Sequence, residues 1–178
     1  IPRVFIPRLV IALVLGGAQG LLGWYMVKSG LVDMPRVSHY RLAAHLSLAM
    51  FLLAYLFWLI LALCQVPGQE TSTMMKRLLH LILVLFVVQA LYGAFVAGLR
   101  AGLGFNTFPL MDGRFMAEAA TMMAPGWINL FENGAMVQFL HRWIGALLLL
   151  FVAFGWLHAM RSRTARTGWT ILILAVVV

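Results

Sequence analysis

Four of the five histidines lie within or at the ends of long apolar stretches. An ionisable group in hydrocarbon is costly enough that function is the first explanation for it. His45 follows Arg41 by one helical turn, and His141 stands beside Arg142 near the start of another apolar run. At about 1.5 Å rise per residue, both fall roughly 5–10 Å below the same membrane surface. Two histidines at matched depth on different helices suit a haem iron, whose axial ligands approach from opposite faces of a flat ring. Ala49 and Gly145, each four residues on and on the same helix faces, leave room for a porphyrin edge. An interhelical hydrogen bond is the competing use of such an imidazole. His80 and His158 form a second pair near the opposite boundary, which admits a diheme cytochrome with one haem per leaflet. The span that carries His45 has no histidine at its other end, so that ladder is incomplete. His80 and His158 read more simply as interfacial residues beside basic loops.

Arg36, Arg41, Arg100, Arg114 and Arg142 belong at or just below the surface nearest His45 and His141, where haem propionates would emerge. Guanidinium forks match carboxylates in pairs. Contact with lipid headgroups is the alternative and is favoured for Arg114; Arg142, inside the helix beside His141, is harder to dismiss. Glu132 and Gln138 flank the start of the same span. Glu132 suits acid–base work, and with Asn129 it equally suits capping of a helix start. The sequence holds no phosphate loop, paired catalytic carboxylates, HExxH or CxxC, so nothing argues for a hydrolase.

These groups need elements to hold them. The 178 residues are 63% hydrophobic and 10% charged, with a mean hydropathy of +0.98. Soluble domains run near 45–50% apolar and about 25% charged, so part of the solvent here is lipid. The same figures exclude disorder and a coiled coil, and Cys64, alone in the chain, excludes a disulfide scaffold. The net charge of +8 is explained first by membrane topology and second by anionic ligands; nucleic acid is not expected. Apolar windows predict spans over Leu9–Val27, Leu42–Val66, Leu78–Leu99 and Val137–Met160, the last carrying a single charge, Arg142, near its start, with a fifth beginning near Gly168. All are expected to be helices, because an open sheet leaves its backbone unsatisfied in lipid. The fold class is therefore an all-α transmembrane helix bundle of about four spans plus a truncated fifth. The first residue, Ile1, and the apolar end of the chain suggest a fragment. Lys76, Arg77, Arg161, Arg163, Arg166, Arg3 and Arg8 crowd short segments on one side, which places the N-terminus inside.

The connection between spans three and four, about 100–138, is long and rich in Phe and Met, with Trp127 among them. Such loops are functional or disordered, and the aromatic content argues for a folded cap at the interface. A faint repeat links Gln19-Gly20-Leu21-Leu22-Gly23 in span one with Gln89-Ala90-Leu91-Tyr92-Gly93 in span three; each precedes a histidine-bearing span. Gly16/Gly20 and Gly98/Gly102 have the spacing of close helix contacts.

Longer stretches are familiar. Gly20 to Leu31 (GLLGWYMVKSGL), Val37 to Leu46 (VSHYRLAAHL), Gly93 to Leu103 with Asn106 to Met111, and Asn129-Leu130-Phe131-Glu132-Asn133 followed by Val137 to Arg142 together resemble the heme A synthase family, closest to its mitochondrial-type branch. The resemblance implies eight helices in two four-helix halves, of which this chain covers about helices three to seven. Residues 1–66 would belong to the N-terminal, substrate-haem half and 67–178 to the C-terminal, haem b half. His45 and His141 would be the iron ligands, with Arg41 and Arg142 beside them and each histidine's partner outside the chain. The family's catalytic carboxylate, three residues before its first histidine, also falls outside; Gln138 stands in the corresponding place before His141. The activity implied is oxidation of a haem O methyl to a formyl by successive hydroxylations, giving haem A. The partners implied are the lipid bilayer of a bacterial or mitochondrial inner membrane, a haem O synthase, an electron donor and, in some arrangements, a second copy. A membrane b-type diheme electron carrier or a haem transporter are the alternatives.

Overall fold

The computed structural model describes residues 3–30, 37–65 and 72–161. Arg36, the arginines at 163 and 166, and the fifth span expected from Gly168 lie outside the described residues. Four long helices dominate: α1 (Ile6–Gly30), α2 (His39–Leu63), α3 (Thr73–Gly98) and, after a short α4 (Asn129–Glu132), α5 (Gly134–Arg161). All four long helices have the length and apolarity to cross a membrane. No strand occurs among the described residues, only an isolated bridge pairing Met111 with Arg114. The chain is an all-α, multi-pass membrane protein. Its outward side chains agree: Leu13, Leu53, Leu83 and Leu150 are 59–75% exposed, which is tenable only where hydrocarbon is the solvent.

Apolar windows locate these helices to within a few residues, and local chemistry sets the ends. The window for span two runs to Val66, but α2 stops at Leu63 because Gln65 turns left-handed (φ 50°) and breaks the ladder. α3 begins five residues before Leu78. The Ser72 hydroxyl accepts a hydrogen bond from the Met75 N–H at 3.3 Å, and this cap draws Lys76 and Arg77 into the first turns. α5 is capped by Asn133, whose side-chain oxygen accepts from the N–H groups of Ala135 (3.0 Å) and Met136 (3.5 Å). The capping role expected of Asn129 and Glu132 thus falls to their neighbour.

The chain divides into two compact units, Ile1–Gly68 with Ala90–Phe139, and Gln69–Gln89 with Leu140–Val178. In the first, α1 packs on α2, and Tyr55 of α2 donates its hydroxyl to the Arg8 carbonyl at 3.0 Å. Ala43 meets Ala94, Phe95 and Val137 in an apolar core. Gly98 lets α3 end against α2: a Cβ there would lie 2.6 Å from both Cα and Cβ of His39. Gly16 and Gly20 have nothing within 4 Å, so their shared spacing marks no contact among the described residues. In the second unit, Met75, Leu78 and Ile82 pack with Leu148, Val152 and Ala159.

The long connection is folded, as its composition suggests. Three 3-10 turns (Ala101–Leu103, Glu118–Thr121, Gly126–Ile128) and α4 enclose a small core of Met111, Ala117, Ala120 and Ala135. Asn129 and Asn133 stitch it together. The Asn129 amide donates to the carbonyls of Met123 (2.9 Å) and Gly126 (2.8 Å), while Asn133 donates to the Ala119 carbonyl and to Asn129 itself. Gln138, nearly fully buried, donates to the Gly104 carbonyl at 2.8 Å. Trp127 is 64% exposed on the cap.

Candidate functional site

His45 is the seventh residue of α2 and His141 the eighth of α5, so each ring sits about 9–10 Å along its helix from the start. Both are half-buried, and they belong to different units. The same residue type meets each of them. The Gln19 amide of α1 lies 3.3 Å from His45 Nε2 and donates to the His45 carbonyl at 3.1 Å. The Gln89 amide of α3 lies 3.4 Å from His141 Nε2. The faint repeat in the sequence is therefore a repeated contact: a glutamine on one helix against a histidine on the helix that supplies its unit's other wall.

Glycines make room for both contacts. A Cβ at Gly23 would come 3.2 Å from the His45 ring, and one at Gly145 would come 2.8 Å from the Gln89 amide nitrogen. The space over Gly145, expected for a porphyrin edge, is thus taken by the Gln89 amide. On both histidines Nδ1 is shielded and has no hydrogen-bond partner among the described residues; the same holds for the glutamine side-chain oxygens. No group of three or more His, Cys, Asp or Glu side chains lies close enough to hold a metal ion by itself among the described residues. His45 and His141, each on a membrane helix with a glutamine amide at Nε2, fit a metal that arrives with its own ring of nitrogens, as haem iron does.

The arginines distribute unevenly. Arg41, one turn before His45, holds its guanidinium 5.1 Å above the Tyr25 ring. Arg142 is half-buried beside His141. Arg114 pairs with Glu118 on the exposed cap, a contact the sequence did not point to. Arg100 is exposed and takes a left-handed conformation (φ 54°) just after α3. His80 donates through Nδ1 to the Lys76 carbonyl within its own helix, and His158 stacks on Phe154 of the same helix. Both of these contacts are made within a single helix.

Glu132, a candidate from the sequence, meets two residues at the start of α2 that the sequence did not point to. Tyr40 donates its hydroxyl to Glu132 at 2.6 Å, and His39 Nε2 lies 3.6 Å from the same carboxylate. His39 is buried, with Phe95 edge-on at 5.3 Å. Glu132 is thus committed to the start of α2. Its partners are 92 and 93 residues away in sequence, so no local pattern could have found them. Gln19 and Gln89 were detectable: the repeat placed a polar amide mid-span on each helix that precedes a histidine. A shallow depression of about 330 Å³ on the cap is lined by Phe105, Met111, Asp112 and Arg114 among others, and by neither histidine.

The whole chain, residues 1–178, matches the family described as cytochrome oxidase assembly protein, COX15-CtaA. Among curated relatives, the heme A synthase of Parvibaculum lavamentivorans is 45% identical over 170 residues, covering 95% of this chain and 49% of that protein. The heme A synthase of Wolbachia pipientis wMel is 46% identical over 155 residues, covering 85% and 44%. That of Nitrosospira multiformis is 45% identical over 172 residues, covering 92% and 48%. The chain spans about half the length of the curated relatives it matches. No solved structure matches it. With a family match that runs from the first residue to the last, and the histidine-bearing membrane helices already described, this chain belongs to the COX15-CtaA family of cytochrome oxidase assembly proteins.

Proposed function

We propose that this chain forms part of a heme A synthase, an oxidoreductase that converts the methyl group of haem O into the formyl group of haem A by successive hydroxylations. The observation that carries the reading is the repeated glutamine–histidine contact, at His45 in one unit and at His141 in the other, each on a membrane helix, in a chain about 45% identical to proteins named heme A synthase. Haem, when bound, supplies the redox chemistry. His141 would hold the iron of a haem b cofactor and His45 that of the substrate haem O, each through one nitrogen lone pair. Arg41 and Arg142, adjacent to these histidines, would bind propionates and fix the ring's rotation in its slot. The apolar helices exclude water from the reacting edge. In this reading residues 1–66 belong to the substrate half and 67–178 to the cofactor half. The N-terminus faces the cytoplasm or matrix across a bacterial or mitochondrial inner membrane, and a haem O synthase, an electron donor and a second copy are the candidate partners.

The test is His141→Ala in the full-length protein, scored by haem content and by optical and EPR spectra. Loss of cofactor haem or a changed ligation spectrum is expected; an unaltered content and spectrum rejects the assignment. Pigment extraction from cells that make haem O checks the reaction. A folded, haem-loaded protein that leaves haem O untouched would instead be an electron carrier, and one that moves pigment across vesicles without altering it a transporter.

A further inference from the structure

The two glutamine–histidine contacts carry an inference that rests on the ligand assignment just made and goes beyond it. We infer that Gln19 and Gln89 are positioning residues for His45 and His141: each amide donates to the histidine's Nε2, fixes the tautomer that carries its proton on Nδ1, and competes with iron for the same lone pair.

The direction of the hydrogen bond is set by chemistry. Gln19 lies 3.1 Å from the His45 carbonyl oxygen, which can only accept, so the group facing it is the amide NH2. That same nitrogen is 3.3 Å from His45 Nε2. An imidazole nitrogen that accepts has no proton, so the proton sits on Nδ1. The Gln89 amide faces His141 Nε2 at 3.4 Å, Gly145 leaves it the space to do so, and its donor role is inferred from the equivalent Gln19 contact. The relation occurs once in each of two separate units, from glutamines at equivalent places in the Gln-x-x-x-Gly repeat. A packing accident would not be expected twice with the same atoms.

One lone pair cannot serve an amide N–H and a metal at once. The glutamines therefore do two things for an incoming haem. They present the nitrogen that iron needs in unprotonated form, and they set a price on its capture, since the amide must be displaced. A residue that merely supports the fold would weaken haem binding when removed. A competing donor does the reverse. With leucine in its place, the buried acceptor loses its partner and iron gains by about tenfold.

The experiment uses the full-length protein with Gln19→Leu and Gln89→Leu, each apolar and acceptable in a membrane helix. In haem-free protein labelled with 15N-histidine, each variant is expected to shift the ring-nitrogen signals of its own histidine away from the pure Nδ1–H tautomer and to leave the other histidine's signals unchanged. Haem transfer to an excess of apomyoglobin is expected to slow by about tenfold for the site whose glutamine is replaced. Unchanged tautomers in both variants, signals that move together at both sites, or faster haem loss would each overturn the inference. Failure of the ligand assignment looks different: His141→Ala would then retain its haem spectrum, while the tautomer shifts could still be seen.

Discussion

Gly98→Ala is expected to destabilise the protein although alanine is the better helix former. The added Cβ would sit 2.6 Å from the Cα and Cβ of His39 and 3.2 Å from its backbone nitrogen. Ordinary contact begins near 3.4 Å, so the first turn of α2 has to retreat by about 0.8 Å (3.4 less 2.6). No rotamer change relieves the clash, because the atoms met are main chain and its first side-chain carbon. Overpacking of this kind costs about 1–3 kcal/mol. Against it stands a propensity gain of at most about 1 kcal/mol, reduced because Gly98 is the last residue of α3. The displacement also pulls His39 off Phe95 and away from Glu132. Gly16→Ala is the control, since nothing lies within 4 Å of that position. Thermal unfolding of the two purified variants in one detergent should place Gly98→Ala lower by several degrees, at about 2–4 °C per kcal/mol for a chain of this size. Equal midpoints would refute the close approach of α3 to α2.

Three further outcomes follow from the cap and its ties. Asn133→Ala removes the cap of α5 and two hydrogen bonds inside the connection, and should cost about 2 kcal/mol or more; Asn133→Ser, which keeps the cap alone, should recover part of it in the same thermal assay. Tyr40→Phe deletes the hydroxyl that donates to Glu132 in a partly exposed setting, so a loss of about 0.5–1 kcal/mol is expected, and a double-mutant cycle with Glu132→Ala should give a matching coupling energy. Arg114→Ala breaks an ion pair whose side chains are both more than 60% exposed; it should change stability by less than about 0.5 kcal/mol, and a larger drop would mean that this part of the cap is more enclosed than its exposure indicates.

Composition alone determined that this chain lives in lipid and is helical. A backbone in hydrocarbon must satisfy itself internally, and runs of about 20 apolar residues leave no other solution. His45 and His141 were legible for the same reason, since a polar group inside an apolar run is visible without any knowledge of contacts. Helix ends were read less well. α2 ends early at a left-handed Gln65 and α3 starts early on a Ser72 cap, which are events of one or two residues that hydropathy windows average away. What only the tertiary structure decided is who touches whom. Glu132, equally suited by its position to capping or to acid–base work, instead accepts from Tyr40 across 92 residues. Gly145, which a helix face offers to a porphyrin, gives its space to Gln89. A one-dimensional pattern fixes which face of a helix is polar or open; the partner that fills that face comes from another helix, and its approach is set by packing that no local spacing encodes.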